Sequence, residues 1–224
     1  MMDQMACESH QKAAHAQKMG WLQAEITPYE TTATDKQGVV KTVSVDLDDG
    51  IRANTTLEGL GKLKPAFRKG GMTTAGNASQ LTDGACAILL TRRSHAVKLG
   101  LPIKGRILSY AVGGVPPEIM GIGPVVAIPK ALARAKLDVK DIDVWEINEA
   151  FASQAQYCVD KLGVPKSKLN QRGGAIALGH PLGMTGARMI VTMFHELERL
   201  NAKTGVVSMC IGTGMGAAGI FERE

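Results

Sequence analysis

Gly205-Val206-Val207-Ser208-Met209-Cys210-Ile211-Gly212-Thr213-Gly214-Met215-Gly216-Ala217-Ala218-Gly219-Ile220-Phe221 admits two architectures. Gly214, Gly216 and Gly219 satisfy G-x-G-x-x-G behind an apolar strand, the opening of a dinucleotide-binding βαβ unit. That unit needs a helix after the glycines and an acidic residue about 20 positions on. Only five residues follow Gly219. The expectation is therefore a hairpin of strand 205–211, a tight glycine turn and strand 215–221, and the dinucleotide reading fails.

Working back from the hairpin, strands and helices alternate. The helix before it carries Ala187, Ile190, Val191, Phe194 and Leu197 on one face. Residues 173–178 read as a buried strand. Residues 143–147 read as a short strand that leads into a helix beginning near Asn148. A helix is expected over 124–136, with proline in its first turn, and a strand over 103–112. Gly84-Ala85-Cys86-Ala87-Ile88-Leu89-Leu90 reads as a strand buried on both faces, followed by a short helix at 92–99. This order predicts an α/β layered fold, and the closing hairpin makes its sheet mixed. Residues 3–19 form an amphipathic helix and 39–45 an edge strand, after which the chain is turn-rich and basic. Residues 1–72 are therefore expected to form a small excursion with few core positions.

Composition narrows the chemistry. With 224 residues, 45% of them hydrophobic, the chain can build one large domain or two modest ones. No apolar run approaches the roughly 20 residues of a membrane helix, and the opening residues lack the pattern of a secretory signal. The four cysteines, Cys7, Cys86, Cys158 and Cys210, are scattered singly. That suits reduced thiols inside a cell better than disulfides or a zinc site. The net charge of +5 gathers at Lys62, Lys64, Arg68 and Lys69, with Arg52 upstream and Arg92-Arg93 downstream. Such a cluster serves nucleic acid, a membrane surface or a phosphorylated small molecule, or is simply a solvated face. An aromatic content of 4% argues against base-stacking platforms.

Three polar residues fall where strands meet turns or helices, the usual place for sites in open α/β sheets. Asn148 follows Val144-Trp145-Glu146-Ile147, His180 follows a glycine-flanked apolar run, and Cys210 ends a strand before Gly212. Singly, each has an ordinary explanation: a helix N-cap, a structural histidine, a small buried hydrophobe. Together an amide, an imidazole and a thiol set in glycine form a kit for acyl transfer. An imidazole or a cluster of backbone N–H groups activates a thiol, and N–H groups aimed at an oxyanion stabilise a tetrahedral intermediate.

Asn148-Glu149-Ala150-Phe151-Ala152, Gly173-Gly174-Ala175-Ile176-Ala177-Leu178-Gly179-His180-Pro181-Leu182-Gly183 and Cys210-Ile211-Gly212-Thr213-Gly214-Met215-Gly216 resemble the three C-terminal signature blocks of the thiolase family. Thr74-Ala75-Gly76-Asn77-Ala78-Ser79 resembles the segment that lines that family's pantetheine tunnel. The likeness runs from residue 1 to 224, and Tyr110-Ala111-Val112-Gly113-Gly114-Val115-Pro116-Pro117 looks most like the peroxisomal 3-ketoacyl-CoA branch. The resemblance implies a layered αβα fold with a mixed sheet, of which this chain is the C-terminal half. Residues 1–72 would be part of a coenzyme A-binding loop domain, 73–96 the last strand and helix of the N-terminal domain, and 97–224 the C-terminal domain.

The resemblance also implies an acyltransferase that cleaves 3-ketoacyl-CoA with CoA to acetyl-CoA and a shortened acyl-CoA, as in fatty acid β-oxidation. Cys210 would be the acid or base at the substrate α-carbon and at the CoA thiol. His180 would activate the nucleophilic cysteine and serve one oxyanion hole, Asn148 would hold the water completing that hole, and the Gly212 N–H would help form a second. Arg52, Leu63, Phe67, Ala75, Ser79, Met120 and Phe151 would contact CoA or line its channel. CoA is then a substrate, with no tightly bound cofactor and no metal. The implied partners are CoA, acyl-CoA thioesters and further copies of the chain, not nucleic acid or membrane. The implied compartment is peroxisomal, with mitochondrial or cytoplasmic as the alternative.

One family element has no match. The nucleophilic cysteine of a thiolase lies in the first of its two similar halves, at a helix N-terminus. Cys7 falls in the opening helix, Cys86 in mid-strand and Cys158 in mid-helix. Two readings follow: the catalytic half of an acyltransferase, inactive on its own, or a non-catalytic CoA-binding or assembly module derived from one.

Overall fold

The computed structural model describes all 224 residues. Its centre is a four-stranded sheet of β3 (Gly105–Gly114), β4 (Val144–Ile147), β5 (Thr204–Ile211) and β6 (Met215–Arg223), in the order β3-β6-β5-β4. β3 and β5 run antiparallel to β6, and β4 runs parallel to β5, so the sheet is mixed. The glycine-rich end is the expected hairpin. Ile211 pairs with Met215 around the turn, and β6 continues as strand where a dinucleotide fold would place a helix.

Side chains alternate across this sheet with the period of two that a strand imposes. Trp145, Ile147, Val206 and Ile220 enter one core with Ala127, Ile128, Ala131 and Leu132 of α4 (Gly123–Ala135) and with Ala152, Ala155 and Val159 of α5 (Ala152–Leu162). Their neighbours Val144, Val207 and Phe221 point the other way, onto Met189, Met193 and Leu197 of α7 (Thr185–Arg199). The sheet is therefore covered on both faces. α4 sits unusually close to it: a Cβ on Gly216 of β6 would fall 2.1 Å from the Gly123 carbonyl carbon.

The opening helix α1 (Met2–Lys18) overturns the expectation that residues 1–72 contribute little to the core. Met5, Ala6 and Cys7, with Leu60 of the short helix α2 (Leu57–Gly61), belong to the same cluster as Trp145 and Ile128. The excursion proper is a two-stranded hairpin, β1 (Tyr29–Thr34) against β2 (Val40–Val45), so the expected edge strand has a partner the sequence reading omitted.

Three further expectations are corrected. Residues 84–90 form no strand, and Leu89 and Leu90 lie open, 77% and 72% exposed. Their apolar run has no neighbouring strand within this chain to pair with. The short helix after them is present as α3 (Arg93–Lys98). Residues 173–178 are not a strand. They turn at Gly173 (φ +84°) into one helical turn, α6 (Ala175–Leu178). The Glu149 carboxylate reaches the N-terminus of that turn, accepting from the Ile176 N–H at 3.4 Å, a favourable place for negative charge. On α7 the fully buried stripe is Thr185, Met189, Thr192, Met193, Glu196 and Leu197; of the expected face only Leu197 belongs to it.

Candidate active site

Asn148 and His180 meet at the C-terminal edge of the parallel pair β4/β5, and Cys210 lies towards the same end of β5. Asn148 lies one residue beyond β4 and extends the ladder, its N–H donating to Ser208 O at 3.0 Å. Cys210 is two residues further along β5, paired with Gly216 across the hairpin. Asn148 is not a helix cap: α5 begins at Ala152 with Phe151 in the capping position, so the functional reading of the amide has lost that competitor.

The backbone between β4 and α5 is held from the side. Asn170, in a left-handed conformation (φ +41°), mimics a neighbouring strand. Its Oδ1 accepts from the Ile147 N–H at 3.0 Å, and its Nδ2 donates to Ile147 O at 2.9 Å and to Glu149 Oε1 at 2.7 Å. The Ser9 hydroxyl donates to Glu149 Oε2 at 2.7 Å and accepts from the Gly174 N–H at 3.0 Å. This buried network fastens α1, the Asn148 loop and the segment leading to His180 into one unit. His180 is delivered by Gly179 (φ +87°), and its N–H donates to Gln80 O at 3.3 Å. The Gln80 amide donates in turn to the carbonyls of Gly50, Ile176 and Ala177.

The Asn148 amide nitrogen lies 3.1 Å from His180 Nε2, and Thr185 Oγ1 lies 2.7 Å from His180 Nδ1. Asn148 is 2% exposed, and its Oδ1 has no donor within the protein. A buried acceptor of that kind suits the water-holding role that the family likeness implies. Burial lowers the His180 pKa, and the nearby Arg188 guanidinium lowers it further, so the imidazole is a neutral base near pH 7. Burial raises the Cys210 pKa, which keeps that thiol protonated and makes it a proton donor. Gly212, in the exposed hairpin turn, has open space where a side chain would stand, which leaves its backbone accessible.

Of the residues expected along the CoA channel, Leu63, Phe67, Ala75, Ser79 and Phe151 fall on segments in mutual contact, and Met120 and Arg52 stand apart. Phe67 meets Phe151 edge-to-face at 6.0 Å between ring centroids. Leu63 packs where a Cβ on Gly76 would sit, beside the exposed Ala75, and the Ser79 N–H donates to Ala150 O at 2.9 Å. Leu63, Phe67 and Ala75 are open to solvent although two of them are large and apolar. Met120 lies on the 3-10 turn Pro117–Ile122 that packs on α5, where a Cβ on Gly121 would contact Gln154. Arg52 stands apart, exposed, its N–H donating to His10 Nδ1 at 3.1 Å.

None of the four thiols is activated. Burial raises Cys7, Cys86 and Cys210 above the ordinary thiol value and pushes Cys158 up to about 12. Cys7 lies inside α1 and Cys158 inside α5, away from any helix entrance. Reading the sequence missed Thr185, Gln80 and Asn170. Thr185 had a signal, a hydroxyl residue opening a helix one turn after His180-Pro181; the other two contact the site only through the fold. No three His, Cys, Asp or Glu side chains converge to hold a metal ion, and no helix is long and apolar enough to cross a membrane.

Comparison with known proteins agrees with this geometry. Residues 1–94 match the thiolase N-terminal domain and residues 101–223 the thiolase C-terminal domain. The chain belongs to the thiolase family. It is 63% identical over 221 residues to peroxisomal 3-ketoacyl-CoA thiolase B of Rattus norvegicus, covering 98% of this chain and 52% of that protein. Among solved structures it superposes on the dimeric peroxisomal thiolase of Saccharomyces cerevisiae with a TM-score of 0.88 and 52% identity, covering 100% of this chain and 54% of that one. Human mitochondrial 3-ketoacyl-CoA thiolase in complex with CoA gives a TM-score of 0.90 and 41% identity, with 100% and 54% covered. The chain thus spans about half the length of the relatives it matches.

Proposed function

We propose that residues 1–224 are the C-terminal half of a thiolase that cleaves 3-ketoacyl-CoA with CoA, giving acetyl-CoA and a shortened acyl-CoA in fatty acid β-oxidation. The observation that carries this reading is the contact between Asn148, one residue beyond β4, and His180, in the loop behind α6, with the buried Cys210 towards the same end of β5. In the proposed division, residues 1–72 belong to the CoA-binding loop domain, 73–96 to the end of the N-terminal domain and 97–224 to the C-terminal domain. The identity to peroxisomal thiolases supports a peroxisomal, homo-oligomeric protein.

The proposed chemistry uses each group in the protonation state its surroundings favour. His180 Nε2 accepts the proton of the nucleophilic cysteine, which comes from the other half. That thiolate attacks the 3-keto carbon, and the bond between C2 and C3 then breaks with its electron pair left on C2. The Cys210 thiol donates its proton to C2, releasing acetyl-CoA. The resulting Cys210 thiolate takes the proton of the incoming CoA thiol, whose sulfur attacks the acyl carbonyl and displaces the enzyme cysteine, which recovers its proton from His180 as the shortened acyl-CoA leaves. A thiol with a raised pKa suits both steps: it stays protonated until the carbanion forms, and its thiolate is then a strong base. Negative charge on the thioester oxygen is held by His180 and by water at Asn148, and that on the tetrahedral oxygen by the Gly212 N–H.

The test is a thiolysis assay on the protein joined to, or supplied with, the first half. Cys210→Ala should lower kcat by about 10²–10⁴-fold, while CoA binding persists. Residues 1–224 alone should form no acyl-enzyme, because none of their thiols is activated. Stoichiometric acylation of Cys7, Cys86 or Cys158 by an acyl-CoA would overturn that part. CoA binding that depends on Arg52, without thiolysis in any pairing, would instead favour a non-catalytic CoA-binding module.

A further inference from the structure

We propose that Thr185 is a positioning residue for His180, fixing its imidazole in the Nδ1–H tautomer so that the Nε2 lone pair faces Asn148 and the site. The argument is one of proton bookkeeping. A hydroxyl has a single proton, and the geometry assigns that of Thr185 to Pro181 O, 2.9 Å away, a carbonyl that can only accept and that also takes the Met184 N–H. The 2.7 Å contact from Thr185 Oγ1 to His180 Nδ1 must then use an oxygen lone pair, and only Nδ1–H can supply the proton. Nε2 is left bare, and the Asn148 amide presents its NH₂ at 3.1 Å, which accounts for Oδ1 being the atom of that amide without a donor. Three groups are thereby ordered in series by one carbonyl.

The local structure makes the arrangement rigid. Thr185 is 1% exposed, so water does not compete for its hydroxyl. It is the first residue of α7, and its own N–H also donates to Pro181 O, at 3.0 Å, so backbone and side chain close on the same acceptor. Proline at 181 restricts the turn between the two partners. The imidazole is held in the one tautomer that can accept a proton at Nε2, and after accepting it becomes an N–H donor at the same position. The role in catalysis rests on the thiolase reading above, whereas the tautomer does not.

The experiment therefore has two readouts. Long-range ¹H–¹⁵N correlation spectra of the ¹⁵N-labelled protein report the tautomer directly, with His180→Gln identifying the resonance among the five histidines. Wild type and Thr185→Ser should both show His180 protonated at Nδ1, and Thr185→Val should show a mixture or the Nε2–H form. An Nε2–H tautomer in the wild type overturns the proposal outright, whether or not the valine variant folds. So does an Nδ1–H tautomer in a folded Thr185→Val whose other histidine signals are unmoved. In the thiolysis assay, Thr185→Val should lower kcat at least about tenfold with KM for CoA unchanged, and Thr185→Ser should recover it. Equal kcat in all three refutes the catalytic role. A wild-type protein that shows no thiolysis when joined to, or supplied with, the first half refutes the function proposed above and leaves the tautomer result to be judged by the spectra.

Discussion

Asn148 Nδ2 and His180 Nε2 stand 3.1 Å apart although 32 residues separate them in sequence, joining the end of β4 to the loop behind α6. The amide gives the imidazole a neutral donor, so nothing in this contact offsets the burial and the Arg188 charge that lower the His180 pKa. Replacing the amide by a carboxylate of the same shape should reverse the balance. In Asn148→Asp, the His180 titration followed by NMR should move upward from the wild-type value, because an adjacent negative charge favours imidazolium. Thiolysis should fall by about 10²–10⁴-fold, because an imidazolium at His180 cannot take the proton of the nucleophilic cysteine. An unmoved His180 titration would mean that the two side chains do not meet in solution.

Gly216 and Gly212 lie four residues apart and should respond oppositely to alanine. At Gly216 a Cβ would stand 2.1–2.6 Å from the backbone of Gly123, where no side chain can swing away. Gly216→Ala should therefore push α4 off the sheet and cost about 1–3 kcal/mol of stability in urea unfolding. Because Gly216 pairs with Cys210, the same change should disturb the thiol. At Gly212 nothing lies within 4 Å, so Gly212→Ala should change stability by less than about 0.5 kcal/mol. Equal costs at the two positions would contradict the close helix–sheet approach.

The sequence carried the sheet's mixed character, its hairpin and most helices, and it singled out Asn148 and His180, which the fold brings together, because those features are local: alternating apolar residues, glycine turns and residues flanking them. It misled wherever the deciding partner lies far along the chain. Residues 173–178 have the small apolar side chains of a buried strand, and only the Glu149 carboxylate and the turn at Gly173 make them helical. Asn148 resembled an N-cap until Asn170 and Ser208 were seen to hold the backbone extended past β4. The opening helix looked peripheral because its burial depends on α2, α5 and α6 rather than on its own pattern. The Phe67–Phe151 contact spans two widely separated segments and left no trace in spacing.

Residues 84–90 show the reverse error, a buried pattern on an open segment. Leu89 and Leu90 contribute little to the stability of this chain because they are already solvated. A Leu89→Lys, Leu90→Lys double variant of residues 1–224 should unfold within about 0.5 kcal/mol of the parent. It should also self-associate less in sedimentation velocity, since an exposed apolar segment is sticky. A loss of several kcal/mol would mean that the segment packs against the chain after all.

Glu146 makes stability depend on pH in a direction that can be worked out. It is 1% exposed in the middle of β4. Its one charged partner, Arg188, is at 3.4 Å, and Oε1 has no donor. That single long contact recovers less than burial costs, so the carboxyl is pushed up from 4.5 to about 8, with Glu25, Glu149 and Glu196 adding to the rise. Between pH 4.5 and about 8 the folded chain keeps a proton that the unfolded chain has released. Stability from this residue is therefore fully present at low pH, declines as pH rises through that window, and levels off above it. Glu146→Gln keeps the shape and removes the proton. Chemical unfolding should find variant and parent close at pH 5, where both side chains are neutral, and the variant clearly more stable at pH 8.5. A difference that stays constant from pH 5 to pH 8.5 would mean that Glu146 does not titrate in this range and that Arg188 holds it ionised throughout.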